Sequence, residues 1–257
     1  MTQSEKRLYL IKALISESPQ YHGLSVPEDE PEQKRLLRSL FNVRMPQKAG
    51  EGFLQIQNEY LREVIIEKGI TSINDLTPIE DRIYLWRGDI TTLKCGAIVN
   101  AANSGMTGCY VPCHNCIDNC IHTFSGIQLR YECDRIIQEQ GYEEPTGQAK
   151  ITPSYNLPCD YVIHTVGPIV RGTLTDDDCL LLESSYRSCL KIAVENRVES
   201  IAFCCISTGV FGFPQKEAAA IAVRTVRDFQ QLHNIKVIFN VFKEDDYAIY
   251  HRLLCKS

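Results

Sequence analysis

The chain has 257 residues, 44% of them hydrophobic and 23% charged, with a formal net charge of −5. That composition fits one large globular domain, or a domain plus a small accessory unit, and excludes a disordered or collagen-like chain. No stretch approaches the ~20 apolar residues of a membrane helix, and a mildly acidic chain has no electrostatic case for wrapping nucleic acid.

The first eighty residues read as helical. Met1 to Leu14 is charged and amphipathic and lacks the apolar core and cleavage site of a secretory signal, which predicts an intracellular, cytoplasmic protein. Leu8, Ile11, Leu14 and Ile15 recur at helical spacing. Ser18 to Pro31 is rich in turn residues, and Pro31 suits the first turn of a second helix whose face is Leu36, Leu37, Leu40 and Phe41. Met45-Pro46 and Gly50 stop that helix. A third carries Phe53, Tyr60, Leu61 and Val64, with Gly69 suited to its C-terminal cap. Residues 1–80 therefore read as a helical N-terminal extension packed on a second unit, residues 81–257.

From Ile83 short β-rich runs alternate with longer amphipathic helices. The predicted strands are Ile83–Arg87, Ala97–Asn100, Ala149–Thr152, Tyr161–Val166, Ser200–Ile206 and Lys236–Val241. Several are continuously apolar, the pattern of strands covered on both faces. The predicted helices are Ile117–Glu139, with a break suggested at Gly126, then Asp178–Asn196, Gln215–Leu232 and Asp245–Leu254. This order specifies a mixed α/β architecture.

Ligands of open α/β sheets bind beyond the carboxyl ends of strands, and three loops at such ends are unusual. Ala97-Ile98-Val99-Asn100-Ala101-Ala102-Asn103 runs from an apolar strand into two asparagines, which suit sugar hydroxyls or an ordinary turn. Ser207-Thr208-Gly209-Val210-Phe211-Gly212-Phe213-Pro214 joins the most apolar strand to a helix. Its glycines allow a tight wrap and its N–H groups suit a pyrophosphate, although an ordinary connection has the same look.

The third loop concerns the cysteines. Twelve of them would suggest a disulfide framework in a small secreted chain, which this is not. Cys189, Cys204 and Cys205 fall in apolar patterns and behave as small hydrophobes. Cys109, Cys113, Cys116 and Cys120 instead crowd together beside His114. Thiolates and an imidazole this close suit Zn²⁺. Three protein ligands would leave a position open for catalysis, and four would close a structural centre. A reduced, metal-free cluster is the remaining reading.

Together these loops resemble the macrodomain family, and within it the zinc-dependent branch. The resemblance is carried by Arg87-Gly88-Asp89-Ile90, the asparagine loop, Ile206 to Pro214, and the run Gly108-Cys109, Pro112, His114, Cys116-Ile117-Asp118-Asn119, Ile121-His122. Arg38-Ser39-Leu40-Phe41-Asn42-Val43-Arg44, Phe53-Leu54, Gln57 and Tyr60-Leu61 resemble the branch's N-terminal extension. The resemblance implies a macrodomain-type mixed central sheet flanked by helices, with an ADP-ribose pocket. In that pocket Asp89 would accept from the adenine amino group and Ile90 offer its N–H. Asn100 and Asn103 would hold the distal ribose, and Ser207, Thr208, Gly209, Val210 and Phe211 would wrap the pyrophosphate. Cys109, His114 and Cys116 would hold Zn²⁺ against that ribose and, with Asn103, form the catalytic set. Cys113 departs from the branch's pattern. It is a fourth ligand, a substitute for Cys109 or a bystander, and chelation beside His114 would strain the loop. Asp118 reads equally as a helix N-terminal residue, and His122 as a group supporting the metal site or an ordinary helix residue.

The implied activity is zinc-dependent removal of mono-ADP-ribose from proteins, at Asp or Glu esters. The alternatives are a non-catalytic ADP-ribose-binding module, an O-acetyl-ADP-ribose deacetylase, and an interaction domain with a closed structural zinc. The resemblance also implies operation beside a sirtuin-type ADP-ribosyltransferase and a lipoyl carrier protein.

Overall fold

The computed structural model describes residues 1–255. The chain opens with three helices, α1 (Gln3–Ser16), α2 (Glu30–Val43) and α3 (Glu51–Lys68). Thr2 and Glu5 close a capping box on α1, and the Asp29 side chain caps α2 with Pro31 in its first turn. Gly69, at φ 85°, ends α3. Their apolar faces, Leu10, Leu14, Leu37, Phe41 and Leu61 among them, form one buried cluster. Ile127, from a later helix, belongs to the same cluster and joins these helices to the rest.

The main sheet has six strands in the order β2-β8-β7-β4-β6-β5. They are β2 (Ile83–Arg87), β4 (Ala97–Ala101), β5 (Ala149–Pro153), β6 (Tyr161–Thr165), β7 (Ser200–Phe203) and β8 (Lys236–Val241). All neighbours run parallel except β5 against β6. Ala97, Ile98, Val99 and Asn100 are buried in succession, as are Ser200 to Phe203, so both sheet faces are covered, as the apolar runs predict. Helices α4 (Ile117–Ser125) and α5 (Ile127–Gln140) pack on β4 and β5, and α4 also touches α2 and α3. Helix α7 (Gln215–Gln230) packs between α6 (Asp176–Glu195) and α8 (Glu244–Leu254), α6 packs on β5 and β6, and α8 on β2 and β8. Among the described residues no helix is long and apolar enough to cross a membrane.

The differences from the predicted elements have local causes. A parallel pair, β1 (Thr71–Ser72) and β3 (Leu93–Lys94), is too short to show any periodicity. The apolar run from Ser200 leaves the sheet after Phe203, because the Cys205 carbonyl turns back to accept from the N–H and hydroxyl of Thr208. Helix α6 starts two residues early because Thr175 and Asp178 form a capping box. The long helix breaks at Gly126, whose φ of 102° and ψ of 168° suit only glycine.

At Gly126 a methyl group would also sit 2.6 Å from Gln57 Nε2 and 2.7 Å from Gln128 Oε1, between two hydrogen-bonded amides. Gly126→Ala is expected to lower unfolding stability by about 1–3 kcal/mol, measured by denaturant titration. An unchanged midpoint would contradict this account of the break.

Candidate active site and metal centre

Because β2, β8, β7 and β4 are parallel neighbours, their carboxyl ends open on one edge of the sheet. Along that edge stand Gly88-Asp89 after β2, Phe242 after β8, the loop from Cys204 to Phe213 after β7, and Ala102-Asn103 after β4.

At the first end, Asp89 caps the 3-10 helix Ile90–Thr92. Its Oδ1 accepts from the Thr91 N–H at 3.0 Å and the Thr91 hydroxyl at 2.6 Å, and Oδ2 pairs with Lys68 of α3. Burial works against the charge of Asp89, but the bonds from Lys68 and Thr91 prevail and hold its carboxyl below the usual range. Ile90 starts the short helix, so its N–H lies outside the intrahelical bonds. Phe242, which the sequence analysis does not single out, follows β8 at this edge. It is 78% exposed beside Gly88, whose N–H donates to the Val241 carbonyl. The only sequence signal for it is its place directly after the apolar run Lys236–Val241.

The loop after β7 is held open from behind. Ser207 takes φ 64°, and its carbonyl accepts from the Phe213 N–H at 3.0 Å. Phe211 is tied to Val170, whose N–H donates to the Phe211 carbonyl at 2.8 Å. Among the described residues, the N–H groups of Gly209, Val210 and Phe211 donate to no backbone carbonyl. These free donors suit an anion. A Cβ on Gly167 would lie 2.1 Å from Ser207 Oγ and 2.7 Å from Ile206 Cγ2, so a larger residue there would displace these side chains.

After β4, Asn103 is half-buried, and its Nδ2 donates to the Gly108 carbonyl at 3.2 Å. Asn100 is fully buried. Its Nδ2 donates to Asp118 Oδ1 at 2.8 Å and lies 3.2 Å from His164 Nδ1. Asn100 thus braces the loop from below, while Asn103 sits higher. Burial pushes Asp118 up to about 6, against the opposing bond from Asn100. Asp118 is the acidic residue of the first turn of α4, as its helix N-terminal reading expects, and also the buried partner of Asn100. His122 is buried with Nε2 3.6 Å from Asp118 Oδ1, and its ring fills the space a Cβ on Gly108 would need, 2.8 Å away.

The structure brings Cys109, His114 and Cys116 together. One donor atom from each lies within 4.8 Å of the others, and Cys109 Sγ is 3.6 Å from His114 Nδ1. Two ligands of a tetrahedral Zn²⁺, at about 2.3 Å for sulfur and 2.0 Å for nitrogen, stand about 3.5 Å apart, so the donor set fits that ion. Cys116 is the N-cap of α4, where the helix dipole favours a thiolate. Burial, joined by the neighbouring Cys109 and Asp118, pushes its thiol up to about 12, with the Asn119 N–H acting in the opposite direction. Cys113 is not in the group. It takes φ 53°, and its sulfur sits 3.2 Å from Ser39 Oγ and 3.4 Å from the Arg35 carbonyl of α2. Among the described residues no fourth Cys, His or carboxylate joins the three donors.

His122, Cys133 and His164 form a second, buried set. There Asn100 donates to His164 Nδ1, which leaves the ring proton on Nε2, facing Thr152 Oγ1 at 3.0 Å and Cys133 Sγ at 3.7 Å. In that tautomer His164 Nε2 is not available as a ligand; His164 supports Asn100, while both ring nitrogens of His122 are buried without a hydrogen-bond partner.

A family profile described as Macro domain matches residues 99–222. The chain is 62% identical to a protein-ADP-ribose hydrolase of Treponema medium, over 99% of this chain and 100% of that one. It superposes on the Oceanobacillus iheyensis macrodomain with ADP at a TM-score of 0.62 and 38% identity, covering 67% of this chain and 89% of that one. The Trypanosoma brucei macrodomain in complex with ADP-ribose gives a TM-score of 0.65 at 29% identity, covering 89% and 97%. With its mixed six-stranded sheet flanked by helices, the chain belongs to the macrodomain family.

Proposed function

We propose that this protein is a zinc-dependent hydrolase that releases ADP-ribose from modified proteins. The observation that carries the proposal is the pairing of a three-donor cluster with the ribose loop. Asn103 is bonded to Gly108, the residue before Cys109, so sugar-binding residue and metal ligand form one connected unit. A module that only bound ADP-ribose would need no such donor set. Hydrolysis of protein-ADP-ribose is the activity named for the 62% identical relative, and it is taken here for this chain.

The order of groups along the sheet edge follows the order of parts in ADP-ribose. Adenine lies between Asp89-Ile90 and Phe242. The free N–H groups of Gly209 to Phe211, with Ser207 and Thr208 at the loop's base, take the pyrophosphate. Asn103 orients the distal ribose, and Asn100, held by Asp118 and His164, fixes the backbone under it. Cys109, His114 and Cys116 would hold the zinc at that sugar. When bound, the ion acts as a Lewis acid, polarising an oxygen presented to it and stabilising developing negative charge. The reaction consumes one water. For an ester it yields ADP-ribose and the free Asp or Glu carboxylate. The ester linkage, and a lipoyl carrier protein as the modified substrate, enter this proposal through the family resemblance.

Cys109→Ala and His114→Ala are expected to lose bound zinc and to abolish release of ADP-ribose from a site-defined modified protein. Both should still bind free ADP-ribose, because Asp89 and the pyrophosphate loop are intact. Full turnover by metal-free wild-type protein would defeat the proposal, and tight binding without turnover would favour a reader. Turnover confined to O-acetyl-ADP-ribose would reassign the substrate. Phe242→Ala should weaken ADP-ribose binding by about 1–3 kcal/mol, the typical cost of removing an aromatic stacked on a base. Calorimetry giving an unchanged Kd would move adenine elsewhere.

A further inference from the structure

We propose that Arg38 of α2 and Asn119 of α4 are positioning residues for the metal ligands, which makes the N-terminal helices part of the metal centre. This rests on the zinc reading above.

The ligand loop, residues 108–116, contains no helix or strand. Its conformation is therefore set by whatever holds its backbone groups. Asn119 is fully buried in the first turn of α4. Its Nδ2 donates to the Val111 carbonyl at 3.0 Å and the Cys109 carbonyl at 3.3 Å, and its backbone N–H approaches Cys116 Sγ at 3.4 Å. An amide does this only in one orientation, because its oxygen would repel both carbonyls. Arg38 sets that orientation. Its Nη2 donates to Asn119 Oδ1 at 3.1 Å and to the His114 carbonyl at 2.7 Å. With these bonds, each of the three ligand residues is held by the Arg38–Asn119 pair at its carbonyl or its sulfur.

Two further contacts tie the loop to the same helix. Asn42 Oδ1 accepts from the Cys113 N–H at 2.9 Å and steadies that left-handed residue beside His114. Arg130 donates to the Asn42 carbonyl at 2.6 Å and the Arg44 carbonyl at 2.7 Å, and reaches the Cys109 carbonyl at 3.5 Å. Helix α2 supplies no metal ligand, yet it supplies the groups that keep the ligands converged. Loss of these groups should appear in metal affinity, because the loop must then be ordered by the ion itself.

The test uses full-length, zinc-loaded protein and competition with a chromophoric chelator. Arg38→Met should weaken zinc binding about tenfold or more, and Arg38→Lys, which keeps one donor for the His114 carbonyl, should recover part of it. The cobalt-substituted Arg38→Met protein should show an altered thiolate-to-metal absorption band. Gln57→Ala is the structural control. It removes the bond from the Ile127 N–H and the link to Gln128, which join α3 to α5 away from the loop. It should lower thermal stability with zinc affinity unchanged. A folded Arg38→Met protein with zinc affinity within about threefold of wild type, against the ten- to hundredfold typical of such partners, would overturn the inference. If that variant does not fold, Asn42→Ala, which removes the acceptor of the Cys113 N–H, is read by the same criterion. Wild-type protein that binds no zinc would instead overturn the metal reading itself.

Discussion

The site depends on holding an irregular loop in one shape without help from a helix or strand ladder. Residues 108–116 lie between the end of β4 and the start of α4, and their carbonyls find partners on three sides. Asn103 reaches in from the ribose loop, Asn119 from the helix that follows, and Arg38 from the extension. Positive φ at Met106 and Cys113, and again at Ser207 across the cleft, shows where backbone strain is accepted. Such strain persists only where surrounding contacts over-determine the conformation; Asn42 Oδ1 holds Cys113, and backbone bonds hold Met106 and Ser207.

A parallel sheet explains why four of the candidate loops meet on one edge. The strands β2, β8, β7 and β4 end on the same side, and each is followed there by one element of the proposed pocket. Beneath the ribose loop lies a polar network of Asn100, Asp118, His164 and Thr152, all buried. Burial holds His164 down to about 3, so its ring is neutral and serves as an acceptor for Asn100. Through Asn100 and Asp118 the network links the end of β4 to α4, the helix that Cys116 caps, and it leaves Asn100 Oδ1 buried without a partner.

Much of this was legible in the sequence. Alternating apolar runs and helical faces located all six strands of the main sheet, and glycine at position 126 marked the helix break. The cysteine spacing singled out the loop, and the strain of two adjacent ligands pointed away from Cys113, which the structure turns toward α2. What stayed hidden were pairings distant in sequence. Arg38 and Asn119 stand 81 positions apart, and nothing in either local pattern announces their bond. Nor does periodicity show that Asn100 faces inward while Asn103 sits half-buried above it. Arg38 meets the ligand loop as a donor to a backbone carbonyl, a contact that has no sequence motif.

The central claim is an open, three-ligand zinc at Cys109, His114 and Cys116. X-ray absorption at the zinc edge, on the purified full-length protein, measures it most directly. The account predicts one zinc per chain with two sulfur neighbours at about 2.3 Å and light-atom neighbours at about 2.0–2.1 Å. A third sulfur, showing that Cys113 has closed the centre, or protein free of zinc, would contradict it.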